Sequence, residues 1–399
     1  MPPKSARQAM QHILWLTLLM VVGSEALVFH WLLLALTGTG LTPLEGLSCM
    51  AVLGVGNAAL LVSLRGLARK RTRSLLLSRV WMLSSLGALF SGPPLVAVFA
   101  LGTGSLWLLR PLGSSLVVEP ALIAGGGLAI GFGFGSILWG YLVGQRRVHV
   151  ERVDLPIRNL PVRLAGLRIA HITDLHIGPQ LRAPQLRGFM QRVNELEPDL
   201  IVITGDMFDF NPTFIEEGCR ELAALRARYG VYAVLGNHDV YTGAELVAQG
   251  IERLTSIRLL RDSWAQLRVE GTSLCLAGID DPAEGWTDRE TESPDIERLA
   301  KQIPNELTSL LLIHRPSFFR QAARLGFPVC LAGHTHGGQI SFPGAQHHNP
   351  SRLIAHWTRG LFQDGDSLLY VNRGLGVAGP PIRLNCPREI ALLRLVERK

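Results

Sequence analysis

The side chains able to do chemistry lie in five short motifs between residues 174 and 336. They are Asp174-Leu175-His176, Gly205-Asp206, Gly236-Asn237-His238-Asp239, a single His314, and Gly333-His334-Thr335-His336. Together they offer carboxylate, amide and imidazole donors for two metal ions, with one histidine left for proton transfer. Hard divalent cations take carboxylate and amide oxygens, and borderline ions such as Mn, Zn and Fe accept imidazole too. A carboxylate shared by two ions holds them roughly 3.5 to 4 Å apart, where they polarise a phosphoryl group together. Asp206 is the expected bridge. In Asp174-x-His176 the period of two puts both side chains on one side of an extended segment, able to clasp one ion, and His334-x-His336 repeats that spacing. Hydrolysis of a phosphate ester is the chemistry this set suits.

Each motif follows a run that reads as a buried strand: Arg168 to Thr173, Leu200 to Thr204, Val231 to Leu235, Leu310 to Ile313 and Val329 to Ala332. These runs are short, rich in Val, Ile and Leu, and bounded by Gly, Pro or charged residues, the signature of strands covered on both faces. Polar residues at the carboxyl ends of such strands gather on one rim of the sheet, so five distant segments can build one pocket. Taken singly, each motif is ordinary turn chemistry, since Asp, Asn, Gly and His are common at strand ends. Their joint order and spacing carry the metal-site reading.

The order D-x-H, G-D-x-x-D, G-N-H-D, H and G-H-x-H resembles the calcineurin-like metallophosphoesterase superfamily, over the part of the chain from about residue 148 onward. The resemblance implies an α/β (α+β) four-layer sandwich with two central mixed β-sheets flanked by helices. It implies that Asp174, His176, Asp206 and His336 hold one divalent ion and Asp206, Asn237, His314 and His334 a second, the ions being Mn, Zn or Fe. It also implies that His238 is the non-ligand histidine that assists the leaving oxygen, with Asp209 orienting it. Asp209 is followed by Phe210-Asn211-Pro212 rather than the Arg-Gly of the serine/threonine phosphatases, which disfavours that branch. Gly337-Gly338-Gln339-Ile340, the run Tyr370 to Gly376 and Pro381-Ile382-Arg383 look like the bacterial membrane-associated, YkuE/YaeI-like branch. That branch includes phosphodiesterases and enzymes with UDP-2,3-diacylglucosamine hydrolase activity in lipid A synthesis.

Other polar residues receive smaller roles. His171, inside a strand, is expected in the core or just behind the ligands. His12, His149, His347, His348 and His356 are given none. Arg373 and Arg383 are bidentate donors able to meet substrate phosphate, with structural roles equally open.

The first part of the chain differs in kind. Ile13 to Leu36, about Leu47 to Leu64, about Val80 to Leu101 and about Ala121 to Val143 are apolar stretches near the roughly 20 residues that cross a bilayer. The division expected is residues 1–147, a membrane domain of about four helices, and 148–399, a metallophosphoesterase domain. The first span has Glu25 in its middle and no small-x-small site after a short apolar core, so it reads as a retained anchor rather than a signal peptide. Pro93-Pro94 and the apolar remainder near Gly102 to Val118 leave room for a re-entrant segment or a fifth crossing.

Before residue 151 there are eleven Lys/Arg against three Asp/Glu, whereas the remainder is nearly neutral within a total of +7. Arg65, Arg69, Lys70, Arg71 and Arg73 cluster between the second and third spans, Lys4 and Arg7 precede the first, and Arg146 and Arg147 follow the fourth. By the positive-inside rule both termini and the hydrolase domain then face the cytoplasm of an inner (plasma) membrane. The positive charge is topogenic and suits anionic lipid, not nucleic acid, for no stacking-aromatic motif accompanies it. The expected partners are the bilayer and a phosphate-containing lipid or nucleotide-linked small molecule.

Five cysteines with no C-x-x-C exclude a thiolate zinc site and point to no disulfide framework. The linker Gly144 to Arg163, with Pro156 and Pro161, is expected to lead into an edge strand. Glu25 and His30 read first as interhelical partners and second as a polar slot for a headgroup or proton. The glycine cluster of residues 125–135 reads as close helix packing. Two functions compete: a membrane-anchored phosphodiesterase or pyrophosphatase, and a catalytically silent scaffold or sensor using the same fold. The complete ligand set favours the enzyme.

Overall fold

The computed structural model describes residues 4–67, 73–109, 115–283, 292–341, 349–353 and 355–398. The chain divides into two compact units, one of residues 3–142 and one formed essentially by 143–399.

The first unit contains four helices, α1 (Lys4–Thr37), α2 (Pro43–Leu67), α3 (Arg73–Leu109) and α4 (Ser115–Leu142). All four are long and apolar enough to cross a membrane. Helix α3 runs unbroken through Pro93 and Pro94, and the apolar stretch beyond Leu101 continues it as far as Leu109. Of the basic cluster, Arg69, Lys70 and Arg71 lie outside the described residues, as does Arg110.

Glu25 is satisfied within this unit. One carboxylate oxygen accepts from Asn57 Nδ2 at 2.8 Å and the other from Ser85 Oγ at 2.8 Å, while Asn57 Oδ1 accepts from Trp81 Nε1 at 2.6 Å. Helices α1, α2 and α3 are thus joined by one polar network, the interhelical pairing that an ionisable group among apolar helices requires. His30 Nδ1 accepts from the Leu41 amide at 3.0 Å and packs edge-on against Phe99. In the glycine cluster, a Cβ on Gly126 would strike the indole of Trp31 at 2.1 Å, so close packing demands glycine there.

The second unit opens with β1 (Val148–Ile157), which lies at the edge of a sheet and pairs only with the final strand, β12 (Arg388–Glu397). Pro156 is tolerated there because an edge strand has a side with no ladder to complete. The same sheet continues through β2 (Arg168–Ile172), β3 (Leu200–Thr204), β4 (Val231–Val234) and β5 (Arg258–Leu259), in the order β1-β12-β2-β3-β4-β5. The second sheet contains β6 (Ser263–Val269), β7 (Thr272–Gly278), β8 (Thr308–Leu312), β9 (Val329–Ala332), β10 (Gly360–Asp364) and β11 (Ser367–Val371), in the order β10-β11-β9-β8-β7-β6. Both sheets are mixed.

Strand sequence and layering explain each other. On β3 every residue is buried, with Leu200 and Val202 facing the second sheet and Ile201 and Ile203 facing helices. Helices α5 (Ala183–Glu195), α6 (Ile215–Leu222) and α7 (Asn237–Leu254) supply that outer layer. Helix α5 buries Leu186, Phe189, Met190 and Val193, an apolar stripe at helical spacing on an otherwise polar segment. Helices α8 (Pro294–Gln302) and α9 (Phe319–Arg324) cover the far side of the second sheet through Ile296, Leu299, Phe319 and Ala322. The result is the four-layer helix–sheet–sheet–helix sandwich. Four of the five expected strands match within a residue at each end, and the fourth begins two residues earlier, at Thr308.

Register brings the motifs level. Ile172 pairs with Ile203 and Thr204 with Val234, so Asp174, Asp206 and Gly236 each follow the ends of adjacent parallel strands. In the second sheet Leu312 pairs with Leu331, which puts His314 and Gly333 at matching positions.

Behind this rim His171 is fully buried, with Nε2 2.8 Å from Thr204 Oγ1. Burial pushes its imidazole down to about 3. The unfolded chain takes up this proton near pH 6.5 and the folded one does not until about pH 3, so the contribution is complete above 6.5 and lost as pH falls through that window. Across it the acid-side loss is on the order of 5 kcal/mol. Denaturant midpoints of the full-length protein in detergent should therefore fall less steeply between pH 6.5 and 4 for His171→Gln than for the parent; parallel acid limbs would contradict the assignment.

Candidate metal centre

The five motifs converge. Asp174, His176 and His336 form one group and Asp206, His314 and His334 another, with donor atoms in each group within 4.8 Å of one another; Asp206 also joins His176 and His238 in a third. His176 Nε2 faces His336 Nε2 at 3.0 Å, and His334 Nδ1 faces His314 Nε2 at 3.1 Å. Between these pairs sits Asp206, whose Oδ2 lies 3.2 Å from His314 Nε2 and 3.6 Å from His176 Nε2. Its Oδ1 accepts from the His238 amide at 2.8 Å.

The backbone differs from the expected extended segments. Asp174, His176, Asp206, His334 and His336 all have left-handed backbones, with φ between 48° and 70°. Alternation therefore does not explain how Asp174 and His176 meet. Left-handed backbone swings them inward, held by hydrogen bonds from the Asp174 and His176 amides to the carbonyls of Gly205 and Asp206, both 3.0 Å. His334 and His336 do not clasp one ion as a pair either: they part, His334 toward His314 and His336 toward His176. Asp174 also ties the two sheets together, because its carboxylate accepts from the His334 amide at 2.9 Å.

Ring orientations are set by acceptors. His314 Nδ1 is 2.7 Å from the Thr204 carbonyl, which can only accept, so the proton sits on Nδ1 and Nε2 turns inward. His238 Nδ1 likewise donates to Asp209 Oδ1 at 2.9 Å, which fixes the orientation of its ring.

The electrostatics favour a cation. Burial opposes charge on His314, yet Asp206 beside it, with Asp174 behind, raises it to about 10. Burial likewise opposes charge on Asp206, but the His314 ring outweighs it and holds the carboxylate well below its usual range. His334 and His336 are pushed well down by burial and neighbouring cations, keeping their nitrogens unprotonated as ligation requires. Asn237 adds a buried Oδ1 with no hydrogen-bond partner. An amide oxygen in that state suits a hard ion, so the donor set fits divalent metal.

Residues 167–338 match the calcineurin-like phosphoesterase family model. An uncharacterised metallophosphoesterase, YkuE of Bacillus subtilis, is 32% identical over 209 residues, covering 51% of this chain and 70% of that protein. The chain belongs to the calcineurin-like metallophosphoesterase family. An uncharacterised metallophosphoesterase of Campylobacter jejuni is 33% identical over 52% of this chain and 53% of its own, and a bovine transmembrane protein with metallophosphoesterase domain is 32% identical over 52% and 48%. The chain thus spans about half the length of these two relatives. Among solved structures, a dimetal phosphatase from Danio rerio aligns with TM-score 0.35 at 12% identity, over 53% of this chain and 88% of that one.

In this metallophosphoesterase the two C-terminal arginines take structural positions. Arg383 is fully buried and donates to the carbonyls of Arg373, Gly374 and Gly376, and Arg373 pairs with Glu389 and Glu151. His149 and His356 are exposed. His347 and His348 lie outside the described residues, as do parts of the loops near residues 284–291 and 342–348.

Sequence reasoning gave Asp239 no role, and the structure makes it the clamp of the site. Its buried carboxylate accepts from the amides of Phe208 and Gly236, both 2.9 Å, and of Met207 at 3.2 Å. It so joins the turn after β3 to the first turn of α7. Burial and nearby Asp206 push it up to about 7, against amide donors that favour the anion. Its place three residues after Gly236, as the N3 acid of a helix, was the available signal. Gly236 itself must be glycine, because a Cβ would meet Asp206 Oδ1 at 2.2 Å.

Asp239→Asn turns an amide toward those donors, and a mispaired buried group costs about 1–3 kcal/mol. The variant should melt several degrees lower and take up less metal; an unchanged melting temperature would show that the clamp carries no strain of this kind.

Proposed function

We propose that this chain is a membrane-anchored, dinuclear-metal phosphoesterase, a phosphodiesterase or pyrophosphatase acting on a lipid- or nucleotide-linked substrate. The observation that carries the reading is a single oxygen, Asp206 Oδ2, facing the imidazoles of both ligand groups. Asp174, His176, Asp206 and His336 would hold one ion, and Asp206, Asn237, His314 and His334 the other. Oxygen and imidazole donors suit Mn, Zn or Fe. When bound, such a pair supplies Lewis-acid polarisation of the phosphoryl oxygens and a water made nucleophilic at neutral pH.

The chain's own residues do the rest. Asp209 holds the Nδ1 proton of His238 and so orients the ring, whose Nε2 would serve the departing oxygen as general acid as attack proceeds in line.

Anchoring is supported by the four apolar helices, and the positive-inside rule applied to the flanking Lys and Arg residues favours a hydrolase unit on the cytoplasmic side of an inner membrane. Tethering raises the effective concentration of substrates held in the same surface. Within this class a UDP-2,3-diacylglucosamine-type substrate is the specific candidate, supported by the sequence of the C-terminal run alone.

Full-length protein in detergent should hydrolyse bis(4-nitrophenyl) phosphate only with Mn²⁺ or a similar ion. Asp206→Asn removes the charge shared by both sites and should lower bound metal from two ions per chain; a variant that still binds two would take the bridge away from Asp206. For His238→Ala we expect intact metal content and turnover slowed by about 10²–10⁴-fold. Wild-type rates in that variant would move the proton-transfer role elsewhere.

A further inference from the structure

Five large hydrophobic side chains are exposed among the described residues of the phosphoesterase unit, and two of them, Phe210 and Tyr241, stand side by side at His238. Phe210 is 60% exposed and Tyr241 43%. The Phe210 ring centroid lies 4.5 Å from that of His238, and Tyr241, one helical turn beyond His238, lies 5.8 Å from it. The two aromatic rings are parallel to within 1°, their centroids 5.8 Å apart. A third ring between them would need roughly twice a 3.5 Å contact, so a flat group must lie on their outer faces or edges.

The chain goes out of its way to present Phe210. Its φ is 49°, an uncommon backbone for a bulky residue, and the Asn211 amide closes a tight turn on the Asp209 carbonyl at 2.6 Å. The turn is locked on both sides. Asp209 N donates to the Ile177 carbonyl, and Asn211 Oδ1 accepts from the amide and hydroxyl of Thr213. Strain that keeps an aromatic ring in water beside a reacting group points to a ligand.

We propose that Phe210 and Tyr241 form an aromatic platform selecting substrates whose leaving group carries a planar ring, aryl or nucleobase. The inference rests on the phosphoesterase reading of the site, since it places the leaving group on the His238 side. Neither residue moves a proton or holds metal; they are specificity-determining contacts. A flat ring stacks on them whatever its hydrogen-bonding edge, and an ethyl or other small aliphatic group does not.

Calorimetry on full-length, Mn²⁺-loaded protein in detergent, with ethyl phosphate, phenyl phosphate and uridine 5′-monophosphate as probes, tests this directly. At least one ring-bearing probe should bind about tenfold or more tightly than ethyl phosphate. Preference for phenyl phosphate puts the ring on the ester oxygen, and preference for the nucleotide puts it one sugar away. Phe210→Leu should collapse the ratio while ethyl phosphate binds as before, Phe210→Tyr should retain it, and Tyr241→Leu should reduce it. Equal binding of all three probes by the parent, or a ratio unchanged in both Leu variants, overturns the platform. Turnover of bis(4-nitrophenyl) phosphate by the same preparation reports separately on the hydrolase reading: loss of preference with turnover intact defeats only the platform, and preference without turnover defeats only the hydrolase.

Discussion

One buried carboxylate organises the phosphoesterase unit of this protein. Asp206 is 2% exposed, and an ionised group so deep in the fold is tolerated only when its oxygens are fully engaged. One oxygen takes the His238 amide and the other faces His314 and His176. These partners come from the ends of β4, β8 and β2, so satisfying a single side chain requires both sheets to present their carboxyl edges at one point. Strand register meets that demand, and left-handed residues after β2, β3 and β9 complete it.

The same constraint explains the supporting residues. Asp239 ties down the turn that carries Asp206, and Asp174 reaches across to the His334 amide, so each half of the site is braced by the other. Glycine at position 236 follows from crowding, with Asp206 already occupying the space a side chain would need. His171 and Thr204 fill the layer beneath with a neutral pair rather than a charge. The donors at the rim are thereby braced from several sides, the kind of support that orients metal-ligating side chains.

The helical half follows different rules. Its long apolar helices are joined through Glu25, Asn57, Ser85 and Trp81, a network whose polar members satisfy one another. The interhelical reading of Glu25 needed only the physics of polar groups among apolar helices. Arg373 and Arg383 illustrate the opposite case. In sequence both are open to phosphate contact or to a structural role, and in the fold both are committed to carbonyls and carboxylates of the chain itself.

Sequence alone determined which residue types recur at strand ends, where five buried strands run, and that a basic, apolar N-terminal part precedes a nearly neutral phosphoesterase part. Local periodicity and donor chemistry suffice for these, because burial on two faces and metal ligation each restrict composition. Tertiary structure decided how the donors are presented. That Asp174 and His176 meet through left-handed backbone and not by alternation, and that Asp239 serves as a clamp, depend on backbone dihedrals and contacts between segments far apart in the chain. Phe210 shows the limit best: in sequence it is one residue after an acid, and only the locked turn beneath it turns an apolar side chain outward to stand beside His238.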